Sequence, residues 1–415
     1  MYNEHMHIVI LNDDFPMEGG DSVAHLTNIL AEGIRKYNHK VTIITTHRKA
    51  DSKDILSGEN DNQISIPISY RPSLRSYLSL YNPPVSKSLQ KVLNRLKPDI
   101  VHAHSIHQYL SYDALRIAKK HTDKIFLTCH DTMGIAFGRI ATNRYISSTG
   151  KNLRLSPLDH IRTARLEYNP FRNTLIRSCI KKNVQTVTAV SHALADCIEA
   201  NGIPNVKTIH NGIDIAYWKP NQKDVIAFLE KHNLTGKKIV LFSGRLRREK
   251  GVPQLVNAMN IVRKKVPNAM LVIVGEKERW EGLFKEASVP DDMKKYCYCT
   301  GWLSHKELAI AYGSAHIVST PSVYLDPFVL VNLEAMSNYK PVIGTVFGGT
   351  KEIVINNETG FVRNPLKTKH FAYAILALLQ DDNLARKMGE AGNKRVHEQF
   401  TIKKMIDEYL TLYTK

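Results

Sequence analysis

Lys238-Ile-Val-Leu-Phe-Ser-Gly-Arg-Leu246 and the following Lys250-Gly-Val-Pro253 contain a clear strand–turn–helix pattern. Its apolar run predicts a buried strand over 238–242, and the strand is expected to end at Gly244. A helix should begin near Val252-Pro253, because proline suits the first turn of a helix. A strand, a short turn and a helix in this order form the repeating unit of doubly wound α/β proteins.

The same alternation of short apolar runs and longer amphipathic stretches extends to both sides of this unit. Runs rich in Val and Ile indicate parallel strands that are covered by helices on both faces. Helices are predicted between the strands, for example over 22–37 and 85–96. The predicted strands are 7–11, 40–46, 100–104, 125–130, 184–190, 238–242, 270–274, 316–319 and 341–344.

A turn-rich break, Asn211-Gly-Ile-Asp214 with Lys219-Pro-Asn221, separates two such runs of elements. We therefore predict an α/β protein with two Rossmann-like, doubly wound parallel-sheet domains, 1–215 and 216–395. The amphipathic segment 396–415 is expected to form a helix that packs back across the junction. Ligands of open parallel sheets bind beyond the carboxyl ends of the strands, so site residues should directly follow strands.

Composition limits the class of protein. A chain of 415 residues is long for one core, and 43% apolar with 23% charged residues is typical of globular proteins. The formal charge of +18 favours anionic partners. No apolar run is long enough to predict a membrane span, and the first is shorter than a signal-peptide core. Five scattered cysteines favour reduced thiols and a cytoplasmic location, with peripheral attachment to the inner face of the membrane as a further expectation.

Two pairs of charged residues follow predicted strands of the second domain. Arg245 offers a planar fork and Lys250 a point charge for phosphate oxygens, although a basic turn on a basic protein is the alternative. Asp326 lies in a proline-containing loop, and Glu334 lies on a helix predicted to begin near Val329. That helix offers free amides to an anion. Glu334 stands among apolar residues, where a hydroxyl-rich ligand would satisfy it, whereas a capping Asp and a solvated Glu are the alternative.

These residues form a pattern that resembles the retaining glycosyltransferases of family 4, which have the GT-B architecture of two facing Rossmann-like domains. The resemblance spans nearly the whole chain, in a specific order. Its motifs are Gly19-Gly20, Thr128-Cys-His130-Asp131, Val190-Ser191, Asn211-Gly-Ile-Asp214, Gly244-Arg-Leu with Lys250-Gly251, Gly301-Trp-Leu-Ser-His-Lys-Glu307, Pro321-Ser322 with Asp326-Pro-Phe and Glu334-Ala-Met, and Pro341-Val-Ile with Gly348-Gly349 and Glu352.

The resemblance implies donor-binding roles in the second domain for a nucleotide diphosphate sugar. Arg245 and Lys250 correspond to the pair that holds the donor diphosphate and stabilises it as it leaves. Glu334 corresponds to the carboxylate that binds the ribose, and Asp326 to the one that contacts the donor sugar. Backbone groups of Gly244, Val329, Leu330 and Val331 would meet the donor.

In the first domain, the resemblance implies that Gly19 and Gly20 let a loop approach the phosphates closely, and that His130 contacts the transferred sugar. Two positions depart from the family. Asp326 stands where the family usually has Glu, and Val329 where it usually has Gly. Both positions would lie beside the donor sugar, so donor identity is the part of the interpretation that they affect.

Metal-dependent glycosyltransferases hold their cation with an Asp-x-Asp motif, and no Asp-x-Asp occurs in the sequence. We therefore expect cationic side chains in place of a metal, and no cofactor besides the nucleotide sugar. Asp13 and Asp14 are interpreted as a loop cap rather than as metal ligands. Cys297 and Cys299 lack the usual spacing of a zinc site.

The acceptor is expected to bind the first domain. His102 and His104 alternate at a strand end, where strand-end packing and acceptor contact both remain open. Arg139 and Arg144 begin a basic segment, 139–182, in which only Asp159 and Glu167 are acidic. This segment is predicted to recognise an anionic acceptor, such as a glycan or a lipid-linked sugar, or an anionic membrane surface. A solvated pair of basic helices is the alternative.

Other classes of function fit less well. A dinucleotide-dependent oxidoreductase should have Gly-x-Gly-x-x-Gly after its first strand, but only Gly19-Gly20 is present. A nucleic-acid-binding protein would be favoured by charge alone, and no nucleic-acid-reading motif is present. A nucleotide-sugar 2-epimerase shares the two-domain architecture. A catalytically weakened transferase serving as a partner subunit is a further alternative, prompted by Asp326 and Val329.

Overall fold

The computed structural model describes residues 5–14, 22–48, 62–69 and 74–414. The chain divides into two compact units. The first unit comprises Met1–Thr142, Leu153–Asn211 and Ile402–Lys415, and the second comprises Asn143–Asn152 and Gly212–Thr401. Short pieces of chain are therefore exchanged between the units relative to the predicted division at residue 215.

The first unit is built on a seven-stranded parallel sheet with the strand order β3-β2-β1-β4-β5-β6-β7. Its strands are β1 (His7–Asp14), β2 (Lys40–Arg48), β3 (Gln63–Ile68), β4 (Ile100–Ala103), β5 (Ile125–Cys129), β6 (Thr186–Ala189) and β7 (Lys207–Thr208). The helices of this part of the chain are α1 (Ser22–Arg35), α2 (Arg75–Leu78), α3 (Pro83–Leu96), α4 (Asp113–Ala118), α5 (Asn143–Ser147), α6 (Pro157–Ala164), α7 (Arg172–Asn183) and α8 (His192–Ala200). Of these, α5 belongs to the second unit.

The second unit is built on a six-stranded parallel sheet with the order β10-β9-β8-β11-β12-β13. Its strands are β8 (Lys238–Ser243), β9 (Ala269–Val274), β10 (Cys297–Gly301), β11 (Ile317–Thr320), β12 (Val342–Thr345) and β13 (Gly360–Arg363). The later helices are α9 (Gln222–Lys231), α10 (Val252–Val262), α11 (Lys277–Lys285), α12 (His305–Ser314), α13 (Leu330–Ser337), α14 (Thr350–Ile353), α15 (Thr368–Gln380), α16 (Asp382–Gln399) and α17 (Ile402–Tyr413).

The last helix, α17, completes the core of the first unit. Met405, Ile406 and Tyr409 are buried against residues of β1 and α1. A side chain at Gly33 of α1 would overlap Ile406, so the two helices pack closely because Gly33 lacks one. The predicted helical segment 396–415 is in fact the end of α16 followed by all of α17.

The predicted fold class, two doubly wound parallel sheets, is confirmed. The predicted set lacks four strands, β3, β7, β10 and β13, and all four lie at sheet edges. Edge strands are short and half-solvated, so they lack the continuous apolar run that marks a central strand. All five cysteines are free thiols. Among the described residues, no helix combines the length and apolar character needed to cross a bilayer.

Candidate functional site

The loop that follows β8 presents Arg245 at the carboxyl end of the second sheet. Gly244 has a φ of +142°, a conformation that favours glycine. Its amide donates to the carbonyl of Val274 over 3.0 Å, which continues the pairing with β9 for one residue beyond the strand. The amide of Leu246 donates to Glu276 over 2.6 Å, and Leu246 is buried while Arg245 is exposed. The turn therefore directs the guanidinium outward.

Lys250 is placed by a close backbone approach between two loops. Gly251, which follows it, has a φ of +79°, and a side chain there would overlap the carbonyl of Pro321. The carbonyl of Glu249 also accepts a hydrogen bond of 2.8 Å from the amide of Val323. The turn after β8 is thus fixed against the loop after β11, and α10 begins at Val252 as predicted.

Lys250 and Asp326 form an ion pair in which the ammonium and carboxylate are 2.8 Å apart. The Asp326 side chain is 6% exposed and that of Lys250 is 25% exposed. Ser322 donates to the same carboxylate oxygen over 2.8 Å. Burial disfavours both charges, but the carboxylate raises the pKa of Lys250, and the ammonium lowers the pKa of Asp326 below its ordinary value. Both groups are therefore charged at neutral pH.

The loop after β12 supports Asp326 from another side. Gly348 has a φ of +69°, and a side chain there would overlap the backbone of Asp326. The amide of Gly349 donates to the carbonyl of Asp326 over 2.9 Å. The amide of Gly348 donates to the hydroxyl of Tyr145 over 2.8 Å. Tyr145 lies on α5, in the segment 143–152 that belongs to the second unit.

Glu334 lies in the middle of α13, which begins one residue after Val329. Val329 has a φ of −88° and a ψ of 89°, which lie outside the helical region, and it gives the helix no side-chain cap. Val329 is buried, and Leu330 and Val331 are half-buried. The carboxylate of Glu334 accepts a hydrogen bond of 2.6 Å from the buried hydroxyl of Tyr312. Burial raises the pKa of Glu334 to about 7, so its ionisation is poised near neutral pH.

His130 in the first unit follows β5 and pairs with His104, which follows β4. The Nε2 of His130 and the Nδ1 of His104 are 2.9 Å apart, and the rings stack with centroids separated by 5.2 Å. Burial lowers the pKa of His130 to about 4 and the pKa of His104 well below its ordinary value. Both imidazoles are therefore neutral near pH 7 and can only donate or accept hydrogen bonds.

His102 lies deeper and belongs to the core. It is completely buried, with Nδ1 2.6 Å from the hydroxyl of Tyr413 and Nε2 2.7 Å from that of Thr128. Of the two interpretations that the sequence left open, this placement corresponds to strand-end packing rather than acceptor contact.

Two acidic residues of the first unit, Asp131 and Asp13, have partners within that unit. Asp131 accepts from the amide of Met133 over 2.8 Å and lies 3.4 Å from His107. Asp13 is completely buried and accepts three backbone hydrogen bonds of 2.5 to 2.9 Å from residues 108–110. Burial raises the pKa of Asp13 to about 7 despite these bonds. Asp13 thus fixes the loop after β4, in agreement with its interpretation as a loop cap.

The basic residues predicted to bind an acceptor are divided between the two units. Arg139 is half-buried in the first unit, whereas Arg144 is exposed in the piece of chain that belongs to the second. Arg172 is 1% exposed and donates to Ser79 and to the carbonyl of Met133, so it is a structural residue and not part of a surface for an acceptor. Gly19 and Gly20 lie outside the described residues.

Several residues of these sites were not identified by sequence reasoning. Tyr145 and Tyr312 each carry a buried hydroxyl bonded to a predicted site element, but an isolated tyrosine gives no signal in one sequence. Ser322 is part of the Pro321-Ser322 motif, which does not indicate that its hydroxyl donates to Asp326. The alternation of His102 and His104 was a signal, yet it indicated neither the partner nor the orientation of either ring.

Family profiles match both halves of the chain. The profile described as Glycosyltransferase Family 4 matches residues 23–217, and the one described as Glycosyl transferases group 1 matches residues 224–395. The glycogen synthase of Mycobacterium tuberculosis is 31% identical over 48% of this chain, an alignment that spans 46% of that protein, less than half of its length. The N-acetyl-alpha-D-glucosaminyl L-malate synthase of Bacillus anthracis is 27% identical over 79% of this chain and 87% of its own length.

Solved structures share the fold over nearly the whole chain. Sucrose-phosphate synthase from Thermosynechococcus elongatus superposes with a TM-score of 0.74 at 21% identity, covering 99% of this chain and 98% of its own. The Anabaena protein HepE, solved with UDP and glucose, has a TM-score of 0.73 at 17% identity and covers 99% of this chain and 100% of its own. Two family profiles in the expected order and two matching parallel-sheet units agree: the chain belongs to the family 4 glycosyltransferases, which are sugar-transferring enzymes, and it has the GT-B fold.

Proposed function

We propose that the protein is a retaining glycosyltransferase that moves a hexose from a UDP-linked donor, with a GDP-linked donor as the alternative, to a glycan or lipid-linked acceptor. The observation that carries the proposal is the buried Lys250–Asp326 ion pair, at the carboxyl ends of β8 and β11. Buried ion pairs contribute little net stability, because desolvation offsets most of the attraction, so this pair is better explained by chemistry than by folding.

The pair suits a diphosphate that carries a sugar. Lys250 stays protonated, so it can bind phosphate oxygens while negative charge grows on them during departure of the leaving group. Arg245 adds a second cation with planar donor geometry. Asp326 then lies where hydroxyls of a sugar can donate to it. The uncapped first turn of α13 supplies amides of Leu330 and Val331 to the same anion.

The ribose is assigned to Glu334, because a carboxylate that Tyr312 satisfies on one oxygen can accept from ribose hydroxyls with the other. In the first unit, His130 is assigned a hydrogen-bonding contact with the transferred sugar. Its low pKa makes it a neutral imidazole rather than a general acid.

We also propose that the reaction needs no divalent metal. The support is the chemistry of the available carboxylates. Asp326 is neutralised by Lys250, and the oxygens of Asp13 are occupied by backbone amides. In this proposal, the cations Arg245 and Lys250 balance the charge of the leaving diphosphate in place of a metal.

UDP is favoured as the nucleotide because HepE, which has the same fold, was solved with UDP and with UDP-glucose. A thermal-shift screen against UDP, GDP and ADP tests this, since a ligand that binds only the folded state raises the melting temperature. We expect UDP to give the largest shift. The shift should be lost in Arg245→Ala and retained in Arg279→Ala, which removes an exposed arginine from α11 of the same unit.

Donor hydrolysis by the wild-type chain, measured with and without a chelator, completes the test. Turnover that survives chelation is expected. Binding of UDP without turnover of any nucleotide sugar would instead favour the weakened partner subunit, and conversion of a free UDP-sugar to its epimer would favour the 2-epimerase.

A further inference from the structure

The first unit exposes an unusual set of large apolar side chains. They lie on α6, on the single 3-10 turn Arg165–Glu167 that follows it, and around the start of α7. Their exposed fractions run from 44% to 104%, the last being Leu166. Together with the cations below, they are called the apolar–basic surface. The apolar members are Leu158, Ile161, Leu166, Phe171 and Leu175.

These side chains are not displaced core residues, because the core-facing sides of both helices are occupied. In α7, Arg172, Ile176 and Ile180 point inward. Phe171 and Leu175 lie one turn apart on the solvent-exposed side, at 71% and 52% exposure. The two helices are also tied together, since the side chains of His160 and Asn173 are 3.1 Å apart. The apolar residues are therefore presented outward by a supported backbone.

The exposed charges between 154 and 182 are all positive. The acidic residues are withdrawn from the surface, because Asp159 is buried in a capping box with Ser156, and Glu167 is half-buried. Large apolar side chains together with exposed cations match an anionic lipid bilayer, in which the apolar groups enter the headgroup boundary and the cations contact phosphates. The exposed cations are Arg154, Arg162, Arg165, Lys181 and Lys182.

We infer that the apolar–basic surface docks the enzyme on an anionic bilayer. A second copy of the chain is a poorer occupant, because a two-fold contact through this surface would bring its like charges together. A free acidic polymer would leave the apolar side chains in water. Docking through this surface is a property separate from sugar transfer, and it depends only on residues of the first unit.

Co-sedimentation of the full chain with vesicles tests the inference. Vesicles of phosphatidylcholine alone are compared with vesicles that also contain phosphatidylglycerol. Binding to the acidic vesicles is expected, and it should weaken with salt. Arg162→Gln with Arg165→Gln should lower the affinity by about fivefold for each cation. Leu166→Ser with Phe171→Ser should lower it by about tenfold for each side chain that the bilayer buries.

Matched controls remove equal numbers of exposed cations and of exposed large side chains from the second unit. Lys264→Gln with Lys265→Gln removes two exposed cations, and Leu366→Ser with Tyr373→Ser removes two exposed apolar side chains. Both controls should bind like the wild type. All variants should keep the melting-temperature shift caused by UDP, which shows that they are folded. Absence of that shift in the wild type would count against the donor proposal and leave the vesicle result standing.

Three results would overturn the inference: equal binding to neutral and acidic vesicles, wild-type binding by both apolar–basic variants, or a wild-type dimer that Leu166→Ser converts to monomer. The last would assign the surface to a second copy.

Discussion

The ammonium of Lys250 and the carboxylate of Asp326 are 2.8 Å apart. The family resemblance implies that Lys250 binds the donor diphosphate and that Asp326 contacts the donor sugar. The two are therefore one electrostatic unit before any donor binds. Neutralising either leaves its partner without its counter-ion in a largely desolvated place, so the two substitutions should not be additive.

A double-mutant cycle tests this coupling. Lys250→Met should lower the free energy of unfolding by about 3 to 5 kcal/mol, because it leaves a buried carboxylate unpaired. Lys250→Met with Asp326→Asn should recover a large part of that loss, since no buried charge remains. Denaturant unfolding measures stability, and donor hydrolysis should be lost in the single and double variants alike. Additive losses of stability would contradict the coupling.

The close approach between Gly251 and Pro321 predicts a position-specific effect of alanine. Gly236 is a matched control, because it has a similar φ of +73° and open space around it, whereas Gly251 has +79° and the Pro321 carbonyl beside it. Gly236→Ala should cost about 1 kcal/mol of backbone strain. Gly251→Ala should add about 1 to 3 kcal/mol of overpacking and weaken UDP binding. If Gly251→Ala and Gly236→Ala had equal effects on unfolding and on UDP titrations, contact with Pro321 would not determine the effect at Gly251.

Glu334 predicts a pH dependence of stability. Its pKa in the folded protein is about 7, above its ordinary value of 4.5, so the native state keeps the proton to higher pH than the unfolded chain does. The wild type should therefore lose stability as pH rises from about 4.5 to 7, relative to Glu334→Gln, which cannot titrate. Asp13 is common to both proteins and cancels. Denaturant unfolding across this range measures the difference, and a constant difference would refute the prediction.

The same titration should affect donor binding. An ionised carboxylate is a stronger hydrogen-bond acceptor than a protonated one, so UDP affinity should rise with pH through about 7. The diphosphate also titrates, and Glu334→Gln supplies the correction for it. Calorimetric titration of both proteins is the measurement. If the UDP affinities of the wild type and Glu334→Gln change in parallel with pH, Glu334 does not bind the ribose.

Tyr145 is expected to position the loop that supports Asp326. Tyr145→Phe leaves the buried amide of Gly348 without its 2.8 Å acceptor, which should cost about 1 to 3 kcal/mol and weaken donor binding. Tyr298→Phe is the control. Tyr298 lies on the edge strand β10 of the same unit, and the substitution removes a hydroxyl that is 2.8 Å from the Nδ1 of His232. The control should lose some stability and keep its UDP affinity. If both variants bind UDP like the wild type, Tyr145 has a structural role alone.

Much of this protein could be predicted from local sequence. Central strands such as β8 and β9 are apolar on both faces, and the glycine and proline signals around Gly244 and Val252 mark where a strand ends and a helix begins. These features depend on neighbours along the chain, so a single sequence contains them. The edge strands lacked that signal because they are less completely buried than the central strands.

The pairings inside the candidate site were decided by tertiary structure. Lys250 meets Asp326, His104 meets His130, and Tyr145 reaches Gly348 from a segment that the chain order assigns to the other half. Each pairing joins residues far apart in sequence. The first two depend on loops that follow separate strands of the same sheet, and the third on the packing of α5 against the loop after β12. The sequence determined which chemical groups follow the strands, whereas only the packed loops determined which of those groups neutralise, orient or bury one another.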